Sequence, residues 1–488
     1  MDMRRWVGIL CVAGLTACAN AAPAPGAPVW TASSVLSSPG ERASEPAVAV
    51  SAGGRMLAAW VVVRGEAETR EGQPEGVFTG YGRIEARLGT AARGWRGTQV
   101  LSSEGESPIA AVGANGTAAV AWCRSPKSDV RMLYVSIASP GRPFGPATLL
   151  RTGGRFPVNC PEALKVQPDG RVVLIWSQTL EYELTPIKSR VQFALLRAHG
   201  GRPVIGTVSA DVPGEVNVDA AETEGGDVLV AFAVPTRLRQ AQGVAQLHPG
   251  ASRFTAPQAI EAAGNAIVRT ESVSAGPGGA ALAFTVGGEF ADEYTDENAM
   301  AEQEPNGAFG PPVVIFRQPD LRSGDQFRPD GANVAFPAGG ARVATWLNAF
   351  IGPPTSGPVE LEGEVVGPEV VMAAVRPAGA TGFQAPVRLS VGAGRSGTPV
   401  ISSAGAGAVV LWAQDEPGCR QRIYSAVGAV GTASAQVLPV SGRYQPARGE
   451  CAEGSGQLVL AGSSAGAIAG WVQNSTLHIT TTVDGGSG

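Results

Sequence analysis

The sequence predicts an all-β chain: a single β-propeller of eight four-stranded blades. Three observations predict it. An apolar segment ending in an aromatic residue recurs eight times, a glycine turn precedes most of these segments at a fixed distance, and each end of the chain carries part of one unit. The aromatics are Trp60 (LAAW), Trp122 (AVAW), Trp176 (VLIW), Phe232 (LVAF), Phe284 (ALAF), Trp346 (VATW), Trp412 (VVLW) and Trp471 (IAGW). Their intervals are 62, 54, 56, 52, 62, 66 and 59 residues, and six of the nine tryptophans stand at this one position. In six units a glycine lies six residues before the aromatic: Gly54, Gly116, Gly170, Gly226, Gly278 and Gly340. Units seven and eight shift it slightly, to Gly405 or Gly407 and to Gly466.

The elements of a unit follow in order. A short apolar strand comes first, as in residues 46–50 (PAVAV). A turn such as Gly53-Gly54, Asn115-Gly116 or Asp169-Gly170 follows, a pair that accepts positive φ and suits a hairpin. The aromatic-terminated segment is the second strand. A loop of variable length leads to a third, such as residues 132–138. A second turn (Pro140-Gly141, Pro249-Gly250, Pro305-Asn306-Gly307) leads to a fourth, which ends in places as Leu101-Ser102, Leu389-Ser390 or Val440-Ser441. A single four-stranded sheet cannot bury both faces. Packing each sheet on its neighbours around an axis buries them, and the large aromatic fills the gap between blades.

The last unit stops after its third strand, residues 477–483, while residues 29–37 (VWTASSVLS) form a strand ahead of the first unit. Together they complete the eighth blade and hide two edges that an open array would expose. The propeller is therefore placed at residues 29–485. A pair of smaller propellers or a tandem of β-sandwiches are the alternatives, and the near-constant spacing without a long central linker disfavours them.

Composition limits function. The 488 residues are 44% hydrophobic and 16% charged, with a formal net charge of −5. This is a globular composition, and disorder, collagen or a strongly basic nucleic-acid binder is disfavoured. Only His199, His248 and His478 occur, too few for a His-rich metal centre. No Gly-rich phosphate loop stands between a strand and a helix. The only lysines are Lys127, Lys165 and Lys188.

The N-terminus reads as an export signal over residues 1–17: Arg4 and Arg5, then an apolar run over residues 6–15 (WVGILCVAGL), too short to span a bilayer. Leu15-Thr16-Ala17-Cys18 resembles the bacterial lipobox, which implies that Cys18 is acylated and becomes the mature N-terminus. Ordinary cleavage nearby is the alternative, with a small-x-small triplet at Ala19-Asn20-Ala21. Residues 18–28, including APAPGAP, form a Pro/Ala tether. The expected location is the bacterial cell envelope, with the membrane as a partner through the lipid.

Four cysteines remain beyond the tether. Cys123 directly follows the aromatic of unit two and Cys160 begins unit three; Cys419 follows the aromatic of unit seven and Cys451 begins unit eight. Each pair joins the exit of a second strand to the start of the next unit. The repeat geometry thus selects Cys123–Cys160 and Cys419–Cys451 from three pairings, and export makes disulfides plausible. A four-cysteine zinc site would compete, but no CxxC pair is present.

The architecture is similar to that of sialidase-like propellers. The resemblance stops at architecture: the Asp-box turn and the Arg-Ile-Pro signature of that family are absent. Pro168-Asp169-Gly170 with Trp176, Arg155-Phe156-Pro157 and Arg328-Pro329 do not match them closely enough to carry roles across.

Two groups of residues are candidate sites. Arg42, Arg155, Arg269, Arg328, Arg395 and Arg448 recur near the starts of first strands, which border the central opening of a propeller. Converging there, they would bind a carboxylate or sulfate by bidentate hydrogen bonds. Ion pairing with Glu45, Glu106, Glu271, Asp330 and Glu450 in the same places is the plainer expectation. The loop after Phe284 carries Asp292, Glu293, Asp296 and Glu297, whose hard oxygens suit Ca2+, although their spacing is not that of an EF-hand. No other cofactor is expected. Long loops after Trp60, Phe284 and Trp346 share one point of the repeat, and variable loops on one face of a rigid ring are where recognition sits. The expected function is a monomeric, envelope-anchored module that binds a protein or glycan or serves as a scaffold. The alternative is a glycan-active hydrolase or lyase with carboxylates at the central opening.

Overall fold

The computed structural model describes residues 28–63, 82–127, 130–152, 158–181, 188–198, 200–214, 216–235, 240–260, 266–276, 279–288, 297–317, 326–351, 369–392, 394–417, 420–428, 430, 436–442 and 457–484. Every regular element among them is a β-strand, and every pairing is antiparallel. Four sheets have four strands each, joined in sequence order, as in Val218–Glu222, Val228–Pro235, Gln240–Leu247 and Gln258–Ile260. The arrangement is all-β and consistent with a propeller.

One element departs from the simple repeat. Units one and two share an eight-stranded sheet because Gln99–Val112 belongs to both. Its first half, to Gly105, pairs with Gly82–Thr90; from Glu106 onward it pairs with Ala118–Lys127. The outer strand of one unit thus runs directly into the innermost strand of the next, where the sequence predicts a break after Leu101-Ser102.

The first strands stand side by side. Arg42–Val50 touches Gln99–Val112, and contact continues through Ala163–Val166, Val218–Glu222, Ala266–Gly276, Gln326–Ala335, Val400–Ala404 and Leu458–Ser463; the last of these touches Arg42–Val50. Their turns are bonded to one another: Ala338 N donates to Gly405 O (3.3 Å) and Gly405 N to Ser463 O (3.0 Å). Ser463 Oγ then donates to Ser51 O (3.0 Å). At the ends of the chain, Pro28–Trp30 and Ser34–Val35 both pair with Thr476–Asp484.

The repeated aromatic explains the core. All eight are buried, and each belongs to a separate apolar cluster. Each cluster joins the aromatic's own unit to the preceding one: Trp176 packs with Ala121 and Val135 of unit two, Trp60 with Ile468 and Leu477 of unit eight. Burial of a side chain this large is worth several kcal/mol, of order 3–5 when truncated to alanine. The disulfide Cys123–Cys160 is present, with Cα atoms 5.2 Å apart, and ties the second unit to the third. Cys419 and Cys451 lie outside the described residues, as do residues 1–27 with Cys18.

Candidate functional site

The arginines chosen from the sequence occupy different units. Arg42 opens Arg42–Val50 with an exposed side chain. Arg395 is exposed, and its carbonyl accepts the Asp415 N–H at 2.8 Å. Arg269 stands opposite Thr285 and Arg328 opposite Ala349 in their sheets. Arg155 and Arg448 lie outside the described residues, and so do Asp292, Glu293 and Asp296 of the acidic loop. Glu297 opens the strand Glu297–Glu302, and its carboxylate accepts from Arg317 Nε at 2.6 Å.

The structure instead brings forward acidic groups that sequence reasoning passed over. Glu162, Asp219 and Glu222 lie at or just before the innermost strands Ala163–Val166 and Val218–Glu222, with Lys165 among them. Innermost strands have one unpaired edge, so their backbone N–H groups need acceptors. Carboxylates of neighbouring units supply them. Asp219 Oδ2 accepts from Val273 N at 2.8 Å and its Oδ1 from Ala220 N at 2.7 Å. Glu222 accepts a backbone hydrogen bond from Val166. Glu45 Oε2 accepts from Ser107 N at 2.5 Å.

Burial dominates the acidity of this group. It lifts the Glu222 carboxyl to about 7, against the pull of Lys165 and the Val166 hydrogen bond, with the charge of Asp169 adding to the rise. Asp219 is raised for the same reason, opposed by Lys165 and its two backbone donors. Glu162 is lifted to about 7 by burial, although Ser177 and Asn159 donate toward it. Its Oε1 accepts from Ser177 Oγ at 2.5 Å, and Ser177 Oγ accepts from Asn159 Nδ2 at 2.6 Å. Glu162 Oε2 is buried with no hydrogen-bond partner among the described residues. A carboxyl at about 7 both donates and accepts a proton near neutrality, which is what acid–base catalysis asks of it.

The signal in the sequence was slight: a lysine inside the short strand ALKV, and two acids in VDAAE, each within an otherwise apolar first strand. A third grouping is Glu106, Cys123 and Cys160, whose carboxylate oxygen and two sulfurs all lie within 4.8 Å of one another.

No protein-family model and no curated protein matches the chain. Solved structures do. The chain is similar to the polysaccharide lyase Uly1 at 10% identity, over 92% of this chain and 100% of that one, with a TM-score of 0.49. It is similar to an ulvan lyase of a new polysaccharide lyase family at 8% identity, over 75% and 90%, with a TM-score of 0.44. A Hadza microbial sialidase is similar at 10% identity, over 93% and 95%, with a TM-score of 0.38. These likenesses concern the fold and assign no residue a role.

Proposed function

We propose that this chain is a glycan-active hydrolase or lyase on a single eight-bladed propeller closed by its N-terminal strand, with the buried carboxyls of the inner strands as acid–base groups. One observation carries the reading: Glu222, against the Val166 N–H and Lys165 of the neighbouring inner strand, is lifted to about 7 by burial, and Glu162, at the opposite end of that strand, is lifted likewise as a separate candidate. Glycosidic bond cleavage needs a proton donor still protonated at working pH and a base able to receive a proton. The contact of Leu458–Ser463 with Arg42–Val50 supports ring closure. An envelope anchor through Cys18, after removal of residues 1–17, completes the proposal.

The test is an assay of the purified full-length chain on a panel of neutral and anionic polysaccharides. Reducing ends report hydrolysis and ultraviolet absorbance of unsaturated ends reports elimination. Glu162→Gln or Glu222→Gln is expected to lower turnover by about 10²-fold or more while binding persists. A second reading, a binding module, is favoured by the exposed Arg42 and Arg395 at the first-strand starts. It predicts saturable binding of an anionic glycan with no product. Absence of both turnover and binding would sink the glycan readings together and leave a scaffold.

A further inference from the structure

We propose that Glu106, Cys123 and Cys160 form a redox-gated metal site, which binds one zinc-class divalent ion when the disulfide is reduced. The donor atoms of the three residues lie within 4.8 Å of one another. In a tetrahedral zinc site with Zn–S of about 2.3 Å and Zn–O of about 2.0–2.2 Å, donors stand roughly 3.5 Å apart, so the carboxylate closes by about 1 Å while the two sulfurs, once unbonded, separate to that spacing.

The framework holds the three residues without help from the S–S bond. Glu106 stands directly opposite Cys123 in the antiparallel pairing of units one and two's shared sheet. Cys123 is fully buried in the core between units two and three. The segment around Cys160 is fixed to its own sheet by the Val158–Gln178 bridge. Asn159 N donating to Ser177 O (3.0 Å) and Glu162 N donating to Ile175 O (3.1 Å) fix it further. The Ser125 hydroxyl donates to Glu106 Oε1 at 2.5 Å, which orients the carboxylate.

The donor set decides the ion. Two thiolates with one carboxylate select zinc or cadmium over calcium or magnesium, and three protein ligands leave a fourth position for water. The chemistry balances simply. A thiol or phosphine reductant supplies two electrons and is itself oxidised; the S–S bond breaks and the sulfurs take up two protons. The metal then displaces both protons as it binds two thiolates. The disulfide form is therefore the closed state of the site.

The experiment uses the full-length chain carrying Cys11→Ser, Cys18→Ser, Cys419→Ser and Cys451→Ser, so that the pair supplies the only thiols. Cadmium is titrated into oxidised and reduced protein, followed by thiolate-to-cadmium charge-transfer absorbance, and zinc is added in competition. Near-ultraviolet circular dichroism tracks the fold. One ion per reduced chain and none per oxidised chain is expected. Cys123→Ser should abolish binding, and Glu106→Gln should weaken it about tenfold or more. Equal binding by the oxidised form, no binding by folded reduced protein, or an unchanged affinity in Glu106→Gln would overturn the proposal. So would a reduced chain that unfolds and is not restored by zinc.

Discussion

At the scale of single residues, the repeated tryptophans fall into two kinds. The indole N–H of Trp176 donates to Gln192 at 3.1 Å and that of Trp412 to Gln414 at 3.1 Å. Those of Trp60, Trp122 and Trp346 have no hydrogen-bond partner among the described residues. Phenylalanine leaves a similar gap at either kind of site, but at Trp176 it also removes the indole donor from the buried Gln192, whereas Gln414 keeps its bonds to Val391. Trp176→Phe should therefore cost about 1–2 kcal/mol more than Trp60→Phe, read as the difference in denaturation midpoint. Equal costs would mean that the indole hydrogen bond contributes nothing. The inner carboxyls make a pH prediction. Glu162 and Glu222 rise from 4.5 in the free residue to about 7 in the fold, so the folded chain holds protons that the unfolded chain gives up. Their contribution is fully present below about pH 4.5 and is lost as pH rises through 7, at up to about 1.4 kcal/mol per unit per group. His478, stacked on Trp471 and lowered by burial, acts in the opposite sense as pH falls. Thermal midpoints should be higher near pH 5 than near pH 8, and Glu162→Gln or Glu222→Gln should flatten that slope. A slope unchanged in both variants would show that these carboxyls are not desolvated.

At the scale of the element, the first hairpin of each unit was the most legible part of the fold. Its turn glycines have positive φ, +71° at Gly54 and +83° at Gly226, the conformation that the Gly-containing pairs imply. The two positions differ in surroundings. A Cβ on Gly54 meets nothing within 4 Å, whereas one on Gly226 would lie 2.4 Å from Pro168 Cδ of the neighbouring unit. Gly54→Ala should cost about 1–2 kcal/mol from backbone strain alone. Gly226→Ala should cost clearly more, because the turn must also move off its neighbour; similar thermal shifts for the two would remove this distinction. The inner edge was not legible, since a polar residue in a short first strand reads equally as an exposed or a buried position. What decides is the neighbour: Asp219 points a carboxylate at the Val273 N–H of the next unit. Asp219→Ala leaves that donor unpaired, and faster amide exchange at Val273 than at the adjacent strand residues is the expected sign. The arginines that begin second strands were also passed over. Arg55 reaches Gly116 O, Arg171 reaches Ala251 O and Arg342 reaches Glu302, each on an adjoining unit.

At the scale of the whole molecule, eight buried aromatics at intervals of 52 to 66 residues carry the architecture, and they were visible because each repeats one packing problem between two neighbouring units. The joining of units one and two through Gln99–Val112 was hidden, because Leu101-Ser102 reads as the end of a fourth strand while the chain in fact runs on as one strand. The ends of the chain decide how the molecule behaves when it unfolds. Leu36 is buried with Leu477, Met56 and Trp60, so the N-terminal segment is packed against both the last unit and the first. Trp30 adds a hydrogen bond from Nε1 to Ser425 Oγ of unit seven, at 2.8 Å. In a closed ring, loosening this segment exposes faces on both sides, and the loss spreads. In an open array it stays at the terminus, because each repeat answers only to its neighbours. Leu36→Ala removes apolar volume at the junction and should cost about 2–5 kcal/mol. Its reach separates the two cases. Under closure, hydrogen exchange should accelerate both in Thr476–Asp484 and in Arg55–Val63, with thermal unfolding still a single transition. Acceleration confined to Thr476–Asp484, with a separate early transition, would mean that the first and last units are merely adjacent.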